Sequence, residues 1–210
     1  MEERKRQFVE DHEIARSEGT LHEFYEKYAQ TYDEIMSTTG YQDIQQHAAS
    51  LLKQHLSDVE QPLVLDVGCG TGFSGVYLKK VGFQQIHGTD PSPGSLKEAE
   101  LKGVYTKVYR GLITDTEQLQ CESDSYDAIF CIGTITKGHL EVRHALREFL
   151  RVVKAGGVCV FTIRNDKLDQ KDMMAAFGER MQEGSMELIS MEKRTYYVDA
   201  YCLCCVVRVL

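Results

Sequence analysis

The 210-residue sequence predicts an α/β fold: a doubly wound, mostly parallel sheet with a C-terminal antiparallel hairpin, plus N-terminal helices forming a lid. Three observations predict it. Short apolar runs at 63–67, 86–89, 126–132 and 158–163 alternate with helical stretches, the pattern of crossover units in a parallel sheet. A loop with glycines at alternating positions, Gly68, Gly70 and Gly72, follows the first run. The tail after residue 188 drops the alternation and offers two strand-like stretches with no helix between them.

The first sixty residues read as helical. Gly19 ends a charged helix, and Thr20 with Glu23 makes a T-x-x-E capping box for the next one. That next helix carries Leu21, Phe24, Tyr25, Tyr28, Tyr32 and Ile35 on or near one face. A further helix sets Ile44, Ala48, Leu51, Leu52 and His55 at helical spacing. At Pro62 the pattern changes. Residues 63–67 are apolar apart from Asp66, as a strand buried on both faces would be. A helix over 73–81 stops near Gly82. A brief strand over 86–89 ends at Asp90, and Ser92 and Pro93 read as N-cap and first residue of a helix that stops at Gly103. Residues 105–109 form a weaker strand and 126–132 a strong one. Ala145, Leu146, Phe149, Leu150 and Val153 mark an amphipathic helix, broken by Gly156 and Gly157 before a strand over 158–163. The stretches 188–197 and 201–210 close the chain as a hairpin on the sheet edge. The whole reads as one domain, with residues 1–60 as helical lid and cap and 61–210 as core.

Composition narrows the function classes. With 42% hydrophobic and 27% charged residues the chain suits a soluble globular domain. A net charge of -8 argues against a nucleic-acid backbone as partner, since such binding rests on clustered Lys and Arg. The charged N-terminus has no apolar signal-peptide core, and no apolar run approaches the ~20 residues of a membrane helix. Seven cysteines without paired C-x-x-C motifs predict reduced thiols in a cytoplasmic or also nuclear setting. Cys202, Cys204 and Cys205 suggest metal at first sight. Alternate strand residues face opposite ways, however, and no partner cluster has zinc spacing, so strand packing is expected and no metal site.

The glycine loop lies where doubly wound sheets bind ligands, at the carboxyl ends of the strands. Asp90 follows Gly70 by 20 residues and ends the second strand, well placed for ribose hydroxyls. Loop plus acid indicates a nucleoside. A dinucleotide fingerprint wants Gly or Ala as its third small residue, and Phe73 stands there. No Lys-Ser or Lys-Thr follows the glycines, which removes a Walker loop.

The ordered set VLDVGCGTG, GTDPS, YDAIFCIG and ALREFLRVVKAGG resembles the class I S-adenosylmethionine-dependent methyltransferases, whose fold is Rossmann-like. The resemblance spans roughly residues 24–163. The combination of GTITKGH, Gly103-Val104-Tyr105 and Thr162-Ile163-Arg164-Asn165 is most similar to the methyltransferase-like proteins of the Williams–Beuren syndrome region. The resemblance implies S-adenosylmethionine as cofactor, S-adenosylhomocysteine as product, and a small-molecule or protein methyl acceptor, in a monomer. It implies that backbone at Gly68, Cys69 and Gly70 lines the methionine part, with Asp66 orienting it through water. Asp90 takes the ribose hydroxyls, and Pro91 and Ser92 flank the adenine. Leu112 and Ile113 stand where many relatives carry an acid for the adenine amino group, which leaves that bond to Asp115. Cys131, Ile132 and Gly133 close the methionine side.

No invariant catalytic motif is required, because methyl transfer from a sulfonium rests on alignment. The absence of an Asn/Asp-Pro-Pro-Tyr/Phe element speaks against nucleic-acid amino groups as acceptors. Tyr28 and Tyr32, four apart, either shield the sulfonium or form a packing stripe. His139 is either a base or a helix-start residue, and Arg164 either binds an acidic substrate group or makes a surface salt bridge. Cys69, before a helix N-terminus, is either an activated thiol or a small residue in a tight loop. The competing functions are a non-catalytic binding module that retains the pocket and a nicotinamide-dependent oxidoreductase.

Overall fold

The computed structural model describes residues 2–164, 170–197 and 200–210. The N-terminal segment forms α1 (Glu2–Glu18), α2 (Leu21–Tyr28), α3 (Tyr32–Met36) and α4 (Tyr41–His55). The core then alternates: β1 (Leu63–Val67), α5 (Phe73–Lys80), β2 (Gln85–Asp90), α6 (Pro93–Leu101), β3 (Lys107–Arg110), β4 (Tyr126–Ile135), α7 (Val142–Val152) and β5 (Val153–Arg164). It closes with α8 (Gln170–Gln182), β6 (Met186–Tyr197) and β7 (Ala200–Val209).

The seven strands form one sheet in the order β3-β2-β1-β4-β5-β7-β6. The first five run parallel, and β7 pairs antiparallel with both β5 and β6. The order reverses at β1, so the loops leaving β1 and β4 diverge and open a crevice at their carboxyl ends. Both faces of the sheet are covered. Ala48, Leu52 and Phe83 pack on one side with Val64, Phe130 and Val160. Phe149, Phe177 and Met173 pack on the other with Leu65, Ile129 and Phe161. Cys202 and Cys204 join the first cluster and Cys205 the second, as alternation along a strand requires. Among the described residues no His, Cys, Asp and Glu gather as a metal site, and no helix is long and apolar enough to cross a membrane.

Ser92 caps α6 with its hydroxyl 3.1 Å from the Ser95 amide, and Pro93 opens the helix as expected. Two readings of local structure are corrected, and one element is added. Thr20 does not cap α2 with its side chain: its ψ of 26° is far from extended cap geometry, and its hydroxyl turns back toward the Ala15 carbonyl. The expected Tyr28–Tyr32 helix is broken, because a tight turn from Tyr28 O to Thr31 N separates α2 from α3. Helix α8 stands between β5 and the hairpin where no element was expected; Met173, Ala176 and Phe177 form its buried face. Asn165, part of the Thr162–Asn165 motif, lies outside the described residues.

Candidate active site

The site grows from the turn after β1. Gly68 and Cys69 both donate their amides to the Thr89 carbonyl, at 2.8 and 3.0 Å, which ties the loop to the end of β2. Gly68 has φ +70° and passes directly over Thr134, whose side chain any Cβ would overlap. The Gly70 amide donates to Asp90 Oδ2 at 3.0 Å and the Ser92 amide to Oδ1 at 2.9 Å. Asp90 thus joins the glycine loop to the start of α6 through charge-assisted bonds.

The N-terminal helices are fastened over this junction. Glu26 on α2 accepts from Ser92 Oγ at 2.7 Å and the Gly94 amide at 2.9 Å, at the positive end of α6. Asp33 on α3 accepts from Thr71 Oγ1 at 2.5 Å and pairs with Lys102 at 2.7 Å. Tyr41 on α4 donates to the Ile132 carbonyl at 3.0 Å.

Between helices and loops lies a cavity of about 480 Å³, within the ordinary range of ligand sites. Gly68, Cys69, Gly70, Asp90, Pro91, Ser92, Leu112, Ile113, Ile132, Gly133, Tyr32 and His139 all line it. Tyr28, Asp66, Cys131 and Arg164 do not. The break between α2 and α3 explains Tyr28: its ring packs edge-on against Phe8 at 5.0 Å, and its hydroxyl donates to Asp11 at 2.8 Å. Cys131 points into the opposite core cluster. Arg164 lines a smaller cavity next to the large one.

Asp66 sits below the loop, fully buried, and accepts from Tyr105 Oη at 2.7 Å. Its Oδ1 has no hydrogen-bond partner. Burial pushes its carboxyl up to about 7, against the Tyr105 bond that lowers it. The Cys69 thiol is raised well above its ordinary range by burial, with Asp66 and Asp90 adding to the effect. It is therefore a buried small side chain with no thiolate character, despite its place before a helix.

The wall after β3 has its own logic. Gly111 passes so close to Thr89 and Leu119 that a Cβ would overlap both. Asp115 does not line the cavity; its carbonyl accepts from Arg147 at 3.1 Å. The loop is clamped onto α7 by Glu148, which is 1% exposed and accepts from the Leu119 amide at 2.7 Å. Arg151 bridges Glu148 at 2.5 Å to the carbonyls of Leu119 and Cys121.

Residues 65–161 match the family described as Methyltransferase domain, and this span runs from β1 to β5, around the cavity. Human Methyltransferase-like protein 27 is 32% identical over 166 residues, 78% of this chain. The chain belongs to the class I methyltransferases. It spans 66% of that relative's length, a little under two thirds. Two solved methyltransferases share the fold. A TehB-like S-adenosylmethionine-dependent methyltransferase from Corynebacterium glutamicum aligns with a TM-score of 0.63 and 21% identity, over 89% of this chain and 98% of its own. The magnesium protoporphyrin IX methyltransferase of Synechocystis, solved with bound S-adenosylmethionine, aligns at 0.56 and 16%, over 79% of each chain.

Three residues that line or border this cavity carried no distinguishing signal in the sequence. Arg16 on α1 lines the cavity, is held by Glu13 through one guanidinium nitrogen, and keeps Nη1 buried without a partner. Thr89 Oγ1 is likewise buried, unpartnered and on the cavity wall. Tyr25, not Tyr28, accompanies Tyr32 on the lining. A single Arg in a charged helix carries no signal of its own. Tyr25 was visible in the aromatic stripe, but only the break after Tyr28 selects it.

Proposed function

We propose that the protein transfers a methyl group from S-adenosylmethionine to an acceptor molecule, using the large cavity as the cofactor site. The junction at Asp90 carries this reading: a carboxylate at the end of β2, fixed by the Gly70 and Ser92 amides, beside a loop whose Gly68 has no room for a side chain.

The residues present fit the cofactor. The cavity has the volume for it, and orphaned Thr89 Oγ1 and Arg16 Nη1 give it polar partners besides Asp90. Asp90 would hold the ribose, Leu112 and Ile113 the adenine, and the backbone from Gly68 to Gly70 and around Gly133 the methionine tail. The bound cofactor supplies an electrophilic methyl on a sulfonium sulfur. The chain supplies orientation, worth ~7–11 kcal/mol where reacting atoms are well aligned. Tyr25 and Tyr32 shield the site from water, and burial keeps both hydroxyls protonated. Their ring faces favour a cation by ~0.5–2 kcal/mol. We place this work in the cytosol, in keeping with seven free cysteines. Labelled methyl should pass from S-adenosylmethionine into a low-molecular-mass fraction of a cell extract; no transfer to any fraction would leave a binding module.

Arg16 gives a sharper check. The α-carboxylate is the one anionic group of the cofactor, and a buried guanidinium nitrogen without a partner calls for an anion. Arg16→Gln should weaken S-adenosylhomocysteine ~10-fold or more, by loss of a charge-assisted bond. Its affinity for methylthioadenosine, which lacks the amino-acid tail, should stay unchanged. Equal losses for both ligands would remove Arg16 from the tail.

A further inference from the structure

The loop leaving β4 sets an imidazole between two cavities. The Leu140 amide donates to the Thr134 carbonyl at 3.3 Å and the His139 amide to the Thr136 carbonyl at 3.1 Å, which closes the loop tightly. The His139 ring packs against Tyr25 and His12, with ring centroids 5.5 and 5.8 Å away. It lines the large cavity and also a smaller one of about 80 Å³, and Tyr25, Tyr32 and Gly133 are common to both as well. Phe8, Ile35, Met36 and Tyr196 give the small cavity an apolar body.

Two polar atoms on these walls are buried without partners, His139 Nε2 and Thr136 Oγ1. Lys5 and Arg164, also on the lining, are engaged within the protein, Arg164 donating to Tyr197 Oη at 3.1 Å. The polar demand on a ligand therefore comes from His139 and Thr136 rather than from these cations. A buried polar atom left unsatisfied carries a desolvation cost that a ligand group relieves. Nε2 accepts when the ring's proton sits on Nδ1. Burial first, then His12, Arg164 and Arg16, push the His139 imidazolium down to about 3, so the ring is neutral at physiological pH. The same desolvation disfavours an ammonium group beside it, and no Asp or Glu among the described residues lines the small cavity to offset one.

We propose, resting on the methyltransferase reading, that the methyl acceptor is a small uncharged alcohol or phenol, whose body fills the small cavity and whose hydroxyl donates to His139 Nε2. His139 lines both cavities, so a hydroxyl bound to it lies where acceptor and cofactor meet. An apolar cavity of ~150 Å³ holds one benzene ring, so about 80 Å³ limits the body to a single ring or a short chain. Thr136 Oγ1 offers that body a polar contact away from the large cavity, which Thr136 does not line. The acceptor oxygen gives an electron pair to the methyl carbon, the carbon–sulfur pair stays on sulfur, and the hydroxyl proton passes to Nε2 and then to solvent. An oxygen gaining a methyl group becomes strongly acidic, so even a weakly basic imidazole takes its proton. Tyr25 and Tyr32 do not compete for this role, because burial keeps their hydroxyls protonated.

The test titrates phenol against fluorobenzene, and benzyl alcohol against benzylamine, into the protein with and without S-adenosylhomocysteine, read by ligand-observed NMR. Phenol should bind tighter than fluorobenzene, which has nearly its shape and lacks the donor. Benzyl alcohol should bind tighter than benzylamine, a cation at neutral pH. His139→Phe should lower the phenol-to-fluorobenzene affinity ratio ~10-fold, as loss of a bond to a buried acceptor requires. His139→Gln, whose side-chain oxygen accepts in place of Nε2, should retain part of the ratio. The S-adenosylhomocysteine affinity of both variants should stay near wild type, which also shows that they fold. Phenol binding no tighter than fluorobenzene in the wild-type protein, a preference for benzylamine, or a ratio unchanged in His139→Phe overturns the proposal. Failure of the wild-type protein to bind S-adenosylhomocysteine overturns the methyltransferase reading instead, and the phenol preference is then read on the ligand-free protein alone.

Discussion

Asp90→Asn should lower the affinity for S-adenosylhomocysteine by about 100-fold, equivalent to ~3 kcal/mol. The side chain keeps its shape and loses its charge. In either orientation of the new amide, its NH₂ group faces an amide donor, at Gly70 or at Ser92. One backbone N–H thus loses its acceptor, and the ribose hydroxyls lose a charged one. Hydrogen bonds to charged groups contribute ~1.5–3 kcal/mol each, so two such changes reach the expected loss. Calorimetric titration reads the affinity, and circular dichroism during heating separates a damaged site from an unfolded sheet. Wild-type affinity in the folded variant would show that Asp90 organises the loop without touching ligand.

Glu148→Ala should destabilise the protein by ~3–5 kcal/mol, the range for breaking a buried charge pair. The carboxylate is almost fully buried, and its removal strips Arg151 of its counter-charge and the Leu119 amide of its acceptor. The loop would keep its Arg147 and Arg151 bonds to α7 but lose the bond at the Leu119 amide and the carboxylate that orients Arg151, loosening Leu119 on the cavity wall. Urea unfolding measures the change. Glu148→Gln, which keeps an acceptor for Leu119, should cost less. A loss under ~1 kcal/mol for the alanine variant would place the pair among weak surface bridges.

Much of the nucleotide side was legible because its signals are local. The glycines, the acid at the end of β2 and the Ser-Pro start of α6 each follow from short-range backbone requirements, and neighbouring strands bring them together. The smaller neighbouring cavity was not legible in the same way. Arg164, His139 and Tyr196 meet from β5, the loop after β4 and β6, and only the sheet order makes them neighbours. Arg16 reaches the cavity because α1 packs on α2 through Phe8 and Phe24, a contact that no periodicity reports. Tyr28 and Tyr32 show the limit of periodicity most clearly. Their spacing is helical, yet one turn at Tyr28–Thr31 sends the first ring to Phe8 and the second to the cavity. Helix α8 did carry a signal, in Met173, Ala176 and Phe177 at helical spacing, which a search for alternating strands passes over.

The Glu26 and Asp33 contacts bind α2 and α3 to the glycine loop and the start of α6 beside the cavity. Removal of these helices should therefore weaken S-adenosylhomocysteine binding as well as uncover the cavity, which calorimetric titration of the shortened chain reads.

The most direct measurement is a calorimetric titration of the purified wild-type protein with S-adenosylhomocysteine and, separately, with NADH. One saturable site per chain is expected for S-adenosylhomocysteine and no binding of NADH, because Phe73 occupies the place where a dinucleotide helix needs a small residue. Absence of heat and of any thermal shift with S-adenosylhomocysteine, or saturable binding of NADH in its place, would contradict it.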